Sequence, residues 1–181
     1  MLKPSACLRC NLRGNCDREL TPGEPGFVSS ESLEWVRSRL TPEQLAFLYA
    51  LPPTVELEVD GLGRVLFCHA SPRNDTDIFV DTTPEENVLP FFDGLSADVV
   101  VVGHNHVQFE RSVGNLRVVN AGSVGMAYED EPGAYWALLG PDVEHRRTPF
   151  EPRSSEFPVW NGPRPSRAEY LARAAELAVG P

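Results

Sequence analysis

Two histidines, His104 and His106, follow an unbroken run of four valines, and their type and spacing could bind a metal ion. Consecutive β-branched residues favour a strand buried on both faces, and Gly103 lets the chain turn sharply after it. If the chain stays extended there, side chains two residues apart point to the same side, so both imidazoles could bind one metal ion. The alternative is a pair of histidines in a polar loop.

Two further segments place metal-binding side chains after predicted strands. Asn15, Cys16 and Asp17 follow Gly14 at the end of a predicted short strand, although Asn and Gly are also ordinary turn residues. His69 follows a mostly apolar strand, where its imidazole must be either hydrogen-bonded or bound to a metal. Because α/β sheets bind ligands beyond the carboxyl ends of their strands, these segments could meet at one site.

The four cysteines give only a weak metal signal. Cys7 and Cys10 form one Cys-x-x-Cys pair, whereas Cys16 and Cys68 do not have the spacing of a second pair. We therefore favour incidental thiols over a structural zinc site. Cysteines without a secretory signal indicate a reducing, cytoplasmic setting.

The length and charge of the chain argue against nucleic-acid binding and a membrane span. A chain of 181 residues can form one domain with a substantial core. The formal net charge of −10 argues against a nucleic-acid backbone as a partner, and an anionic substrate would need a local cation such as a metal ion. No apolar run approaches the roughly 18 residues of a membrane span.

The pattern along the chain predicts an α/β fold. Residues 1–150 are expected to form the main domain, and residues 151–181 a C-terminal extension. Helices are predicted from about residue 31, from residue 42, from residue 84 to about 92, and over 167–179. Strands are predicted over 54–59, 64–68, 98–102, 109–113, 116–120, 134–140 and 143–148.

Four segments in order resemble a known family. Gly-Asn-Cys-Asp, a strand ending in His-Ala-Ser, Gly-His-x-His and Asn-Ala-Gly-Ser-Val-Gly together resemble the calcineurin-like metallophosphoesterases, in particular their small bacterial phosphodiesterase or phosphatase branch. The resemblance covers roughly residues 11 to 148. It implies a four-layer α/β/β/α sandwich with two divalent metal ions (Mn, Fe, Zn or Ni) at the ends of its strands.

The resemblance also implies a set of metal ligands. Asn15, His69 and His104 correspond to ligands of one metal ion, and His106 corresponds to a ligand of the other. In such a site two metal ions about 3.5–4 Å apart clamp the phosphate and activate a hydroxide at neutral pH. Imidazole and amide oxygen ligands suit borderline divalent ions.

Two neighbouring residues correspond to catalytic positions. Asp17 matches a carboxylate that orients the side chain at position 16, which is a histidine in much of the family. Here that residue is Cys16, as in some small members. A thiol is a poorer hydrogen-bond donor, so we expect weaker assistance to the leaving group.

The chain lacks two motifs with which the family opens. Neither the Asp-x-His strand nor the following Gly-Asp strand occurs, so the first two βα units and three metal ligands are expected to be missing. The first metal ion would keep its three ligands and the second would keep only His106, so one ion or none is expected. Asp75 or Asp77 could substitute, but nothing in their spacing supports this.

Three explanations of this departure remain open. The first is an upstream start that would give the complete enzyme. The second is that the chain is a shortened relative with little or no activity. The third is that another chain supplies the missing half. A sheet edge left bare by the missing strands would invite pairing, so a homo-oligomer is a possible outcome.

The sequence therefore predicts a metallophosphoesterase. It would hydrolyse small phosphomonoesters or phosphodiesters by metal-activated hydroxide, with an activity that the missing ligands impair. No membrane partner is expected. The alternative is a non-catalytic metal-binding or interaction module derived from the same fold.

Overall fold

Five strands form a mixed sheet at the centre of the residues that the computed structural model describes, 10–150 and 165–177. They are β1 (Thr54–Val59), β2 (Gly63–Cys68), β3 (Val99–Val102), β4 (Gln108–Val113) and β5 (Leu116–Ala121). The order across the sheet is β1-β2-β3-β5-β4. Strands β2, β3 and β5 are mutually parallel, whereas β1 and β4 pair antiparallel with β2 and β5. The carboxyl ends of the three parallel strands therefore lie at the same edge.

The central strand β3 is buried on both faces, as its four valines predict. Val100 and Val102 belong to a core cluster with Phe79 and Phe109, while Val99 and Val101 pack on the opposite face. Side chains alternate across a strand, so the valines of this strand supply both cores. This double burial fixes the position of the loop that follows the strand.

A second, two-stranded sheet consists of β6 (Gly133–Leu139) and β7 (Val143–Pro149), paired antiparallel. In the described part of the chain, β1 and β4 are the edge strands of the central sheet. A homo-oligomer formed through such an edge stays a prediction.

Five helices accompany the sheets in the described residues. They are α1 (Asn15–Glu19), α2 (Ser30–Arg39), α3 (Pro42–Tyr49), α4 (Glu85–Val88) and α5 (Arg167–Leu177), with a 3-10 turn over Leu89–Phe91. Helix α3 begins as its sequence predicts, because Thr41 and Gln44 form a reciprocal capping box with Pro42 in the first turn. The Ser29 hydroxyl caps α2 by accepting a hydrogen bond from the amide of Ser32.

The α/β class predicted from the sequence is confirmed, with two local corrections. The described residues ahead of Gly14 are irregular rather than a strand, and Asn15 opens helix α1. The segment after β3 is also not extended, as described below. The division of the chain at residue 150, the four-layer arrangement and the missing βα units stay predictions. The possible zinc pair Cys7 and Cys10 includes a residue outside the described ranges, while Cys10, Cys16 and Cys68 carry free thiols.

None of the helices in residues 10–150 and 165–177 is long and apolar enough to cross a membrane.

Phe79 provides a test of the core. It is 0% exposed and makes edge-to-face contacts with Phe91, Phe92 and Phe109 at ring-centroid distances of 5.7–5.8 Å. We expect Phe79→Ala to lower the free energy of unfolding by about 3–5 kcal/mol, because it leaves a cavity among three rings. Urea denaturation measures the loss. The control Phe27→Ala, at a side chain that is 82% exposed, should stay within about 0.5 kcal/mol of the native chain; equal effects would contradict this core assignment.

Candidate metal centre

The site lies where two parallel strands end side by side. His69 directly follows β2, and Gly103 directly follows β3. The Gly103 amide donates a hydrogen bond to the His69 carbonyl at 2.7 Å, which ties the two strand exits together. The histidine that follows Gly103 is thereby brought beside His69.

Three predicted ligands converge at this edge. The Nε2 atom of His69 lies 2.9 Å from Oδ1 of Asn15 and 3.2 Å from Nδ1 of His104. The two imidazole rings meet edge to face, with centroids 5.0 Å apart. An amide oxygen and a second ring nitrogen, from two distant segments, thus both contact the Nε2 atom of His69.

The loop after β3 has a left-handed backbone at both histidines. His104 has φ of 63° and His106 has φ of 56°, so the extended conformation expected there is not observed. Such backbone costs about 1–2 kcal/mol for each non-glycine residue, and it persists where surrounding contacts hold it. The same-side rule for residues of a strand therefore does not apply to these two imidazoles.

Two buried asparagines hold this loop. The side-chain amide of Asn105, which is 0% exposed, donates to the Phe79 carbonyl at 2.7 Å. The side-chain amide of Asn120, also 0% exposed, donates to the Gly103 carbonyl at 2.7 Å. Buried amides that lost these partners would carry a desolvation cost, so both bonds favour the observed loop conformation.

A buried carboxylate orients the amide of Asn15. Glu19 is 1% exposed, and its Oε1 accepts from Nδ2 of Asn15 at 3.1 Å while its Oε2 accepts from the Val28 amide at 2.8 Å. With its nitrogen bound to Glu19, the Asn15 side chain must present its oxygen to His69. Gly26 makes room for the carboxylate, since a Cβ there would lie 1.9 Å from the Glu19 Cδ atom.

Burial keeps the imidazoles neutral. Desolvation chiefly, and then the charge of His69, lowers the pKa of His104 to about 4. Desolvation, followed by the charge of His106, lowers the pKa of His69 as well. Neutral imidazole is the form that binds metal, and a single proton or a metal ion is needed to hold three lone-pair atoms so close together.

The donor set fits one divalent ion. Ligand atoms about 2.0–2.2 Å from an ion lie roughly 3–3.5 Å from one another, and of the observed separations 3.2 Å falls within this range while 2.9 Å is slightly shorter. In the described residues no group of three or more His, Cys, Asp or Glu side chains could hold a metal ion. The cluster of Asn15, His69 and His104 contains only two such side chains, because its third donor is an amide oxygen. The assignment of Asn15, His69 and His104 as ligands stays a prediction.

His106 makes contacts different from those of this triplet. Its ring stacks on Tyr128, with centroids 5.8 Å apart, and within the described residues its buried Nδ1 atom has no hydrogen-bond partner. Burial and then the charge of His104 lower its pKa, while the Met126 carbonyl opposes the shift. The described residues bring no second ligand to it, so they do not fit a second ion, and its predicted role stays a prediction.

Helix α5 packs against the His106 side of the site. Tyr170 stacks on Tyr128 with ring centroids 4.2 Å apart, which continues the stack that begins at His106. Arg167 forms an ion pair with Glu129 at 3.1 Å, and another oxygen of Glu129 accepts from the backbone amide of residue 108. The C-terminal helix thereby restrains the backbone that follows His106.

The two residues assigned catalytic roles make local contacts. Asp17 accepts from the Gly14 amide at 2.9 Å through Oδ2, so it caps the first turn of α1. The Sγ atom of Cys16 lies 3.7 Å from Nδ2 of Asn15. Although this thiol is exposed, partial desolvation, then the charges of Glu19 and Asp17, raises its pKa, so it stays protonated at neutral pH. Their catalytic roles stay predictions.

Asp75 and Asp77, considered as substitute ligands, are engaged elsewhere. Asp75 pairs with Arg18 at 2.7 Å, and Asp77 pairs with Arg73 at 2.7 Å. Glu19 and Asn105 are the supporting residues that the sequence did not point to. The spacing of four between Asn15 and Glu19 on a helix would have indicated their contact, had α1 been predicted.

Comparisons with known proteins identify the family of the chain. Residues 8–140 match the family model described as a calcineurin-like phosphoesterase superfamily domain. A comparison with curated proteins gave no match.

Two solved structures share the fold. A hypothetical protein of Pyrococcus horikoshii OT3 is 18% identical with a TM-score of 0.65, covering 77% of this chain and 62% of that one. A metallophosphoesterase from Sphaerobacter thermophilus is 21% identical with a TM-score of 0.57, covering 77% of this chain and 66% of that one. The chain thus spans less than two thirds of either structure, and at these identities the similarity shows the fold alone.

The depressed pKa of His104 predicts a pH dependence of stability in metal-free protein. The unfolded pKa is about 6.5 and the folded pKa about 4, so protons bind the unfolded state preferentially between these values. Stability should be full above pH 6.5 and should fall as pH drops towards 4. Urea denaturation in EDTA measures this, and His104→Asn should flatten the dependence, whereas His145→Asn should not. An unchanged profile in His104→Asn would contradict the assignment.

The contacts of Glu19 predict a stability loss in Glu19→Gln. Glutamine has one acceptor oxygen, so an NH2 group must face either the Val28 amide or the Asn15 side-chain nitrogen. We expect a loss of about 1–3 kcal/mol in urea denaturation. Glu24→Gln is the matched control, because Glu24 is an exposed neighbour with only a 3.7 Å ion pair to Arg18. Equal stability of the two variants would show that the carboxylate does not hold Asn15.

Proposed function

The chain belongs to the calcineurin-like phosphoesterase superfamily, and from this premise we propose that it hydrolyses phosphoesters with a divalent metal ion held by Asn15, His69 and His104. The observation that carries the proposal is the convergence of their donor atoms within 2.9 and 3.2 Å. When bound, a divalent ion polarises a phosphoryl oxygen and lowers the pKa of water.

The residues of the chain prepare this site in distinct ways. Burial keeps His69 and His104 neutral at pH 7, so no proton has to be removed from imidazolium before they bind a cation. Glu19 directs the Asn15 oxygen towards the same point. The protonated thiol of Cys16, which accepts from Nδ2 of Asn15, would donate a weak hydrogen bond to a substrate oxygen.

The proposed substrate is a small phosphomonoester or phosphodiester. A metal charge offsets the formal net charge of −10, which otherwise repels an anionic substrate. Manganese, iron, zinc and nickel all suit the His and Asn donors, and manganese is the first ion to test.

A second candidate function is metal binding without catalysis. The triplet in the described residues contains no carboxylate, and His106 stacks on Tyr128. A single ion on three neutral ligands would bind less tightly than an ion that also has a charged ligand, and it would be a weaker catalyst than a two-ion site.

The proposal predicts metal uptake that depends on both imidazoles. We expect His69→Ala and His104→Ala to weaken Mn²⁺ binding at least about 100-fold in isothermal titration calorimetry. His145→Ala is the matched control, since this exposed histidine lies on β7 outside the cluster. Unchanged binding in either cluster variant would remove that histidine from the site.

Hydrolysis of bis-p-nitrophenyl phosphate and of p-nitrophenyl phosphate separates the two candidate functions. Slow turnover that requires Mn²⁺, that EDTA abolishes and that His69→Ala removes would support the phosphoesterase. Metal binding without any turnover of either ester would instead support the non-catalytic module. Turnover that survives EDTA would contradict both.

A further inference from the structure

A cavity of about 310 Å³ lies beside the metal centre, between the start of α1 and the loop after β2. His69 forms part of its wall, so the cavity and the cluster share one side chain. Three arginines, Arg13, Arg18 and Arg73, also line it. A concentration of guanidinium groups next to a phosphoester site suggests a place for a second anionic group.

Two of the three arginines are already paired with carboxylates. Arg18 donates to both oxygens of Asp75 at 2.7 and 3.2 Å. Arg73 donates to both oxygens of Asp77 at 2.7 and 2.8 Å. Each of these charges is neutralised by a bidentate partner, so neither arginine alone makes the cavity attractive to an anion.

Arg13 differs from the other two. Its backbone amide donates to the Pro52 carbonyl at 2.8 Å, which fixes the main chain at the cavity wall. Its half-buried guanidinium has no ion pair or side-chain hydrogen bond with any residue in the described ranges. Glu24 and Glu19 also lie 3.7 and 4.0 Å from Arg18, so what the cavity offers an anion is one arginine without a carboxylate partner among the described residues, Arg13.

Arg13 lies only two residues before Asn15 of the metal centre. Gly14 follows Arg13 and packs against His69, since a Cβ at Gly14 would lie 3.0 Å from two atoms of the imidazole. Asn15 comes next and contributes to the cluster. An anion on Arg13 would thus lie in a cavity that has His69, a member of the cluster, in its wall.

We propose that this cavity is a subsite for a second phosphate group, and that the preferred substrates are phosphoesters whose leaving group carries a further phosphate. The inference rests on the proposed function for the identity of the first phosphate, but not for binding of the second. A volume of about 310 Å³ is at the lower end of the range for small-molecule sites and can contain a phosphate with its linker.

The first test measures binding of inorganic phosphate to metal-free protein in EDTA. In ¹H–¹⁵N spectra, phosphate should shift the amide signals of residues 13–18 and 71–75. Arg13→Met should weaken binding about tenfold or more, because it removes a charge-assisted hydrogen bond and keeps the apolar stem. Arg13→Lys should recover part of the affinity. Arg39→Met removes an exposed charge outside the cavity and should leave the affinity unchanged.

Phosphate binding that is equal in the native chain and Arg13→Met, or signal shifts confined to other residues, would overturn the subsite. A native thermal midpoint in Arg13→Met separates loss of binding from loss of folding. None of these readouts needs hydrolysis. If no ester is hydrolysed while phosphate still binds through Arg13, the proposed function fails and the subsite stands.

The second test addresses specificity in the manganese-loaded protein. Adenosine 3′,5′-bisphosphate and adenosine 5′-monophosphate form a matched pair that differs by one phosphate. Arg13→Met should raise KM for the bisphosphate about tenfold and change that for the monophosphate less than about twofold, with kcat unchanged for both. Equal losses for both substrates would place Arg13 on the scissile phosphate and would contradict a separate subsite.

Discussion

The contact between Nε2 of His69 and Nδ1 of His104, at 3.2 Å, is the interaction on which the site depends. It joins the exits of two parallel strands, and the Asn15 oxygen completes it from a helix that lies far away in sequence. Lone pairs on three donor atoms repel one another unless a proton or a cation lies among them. The sheet therefore holds together three donor atoms that either a ring proton or a bound cation can bridge.

Buried polar contacts maintain this arrangement at some cost. His104 adopts a left-handed backbone that few non-glycine residues tolerate, and Asn105 and Asn120 restrain the loop through their side-chain amides. Glu19 restrains the Asn15 side chain by accepting a hydrogen bond from its Nδ2 atom. The strained backbone and these buried polar side chains all lie around the cluster. Backbone strain of this kind commonly occurs at functional sites.

Much of the framework could be predicted from the sequence, because it is determined by local patterns. Four β-branched valines specified β3, and the Thr41 cap followed by Pro42 specified the start of α3. The order of the motifs around Asn15, His69 and His104 indicated the family, and the family match confirms it.

The remainder could not be predicted, since it depends on contacts between distant segments. The sequence predicts the end of a strand at Asn15, where the structure has a helix, because the five residues of this helix carry little periodicity. The left-handed loop follows from hydrogen bonds to Phe79 and Gly103, neither of which can be recognised in the sequence around the histidines. The pairing of Arg18 and Arg73, which leaves Arg13 uncompensated, is likewise a tertiary property.

The most direct measurement is anomalous diffraction from crystals soaked in Mn²⁺. We expect one strong peak about 2.0–2.3 Å from Oδ1 of Asn15, Nε2 of His69 and Nδ1 of His104. A peak bound by other atoms, or the absence of a peak between these three side chains at saturating Mn²⁺, would contradict the assignment of this cluster as a metal site.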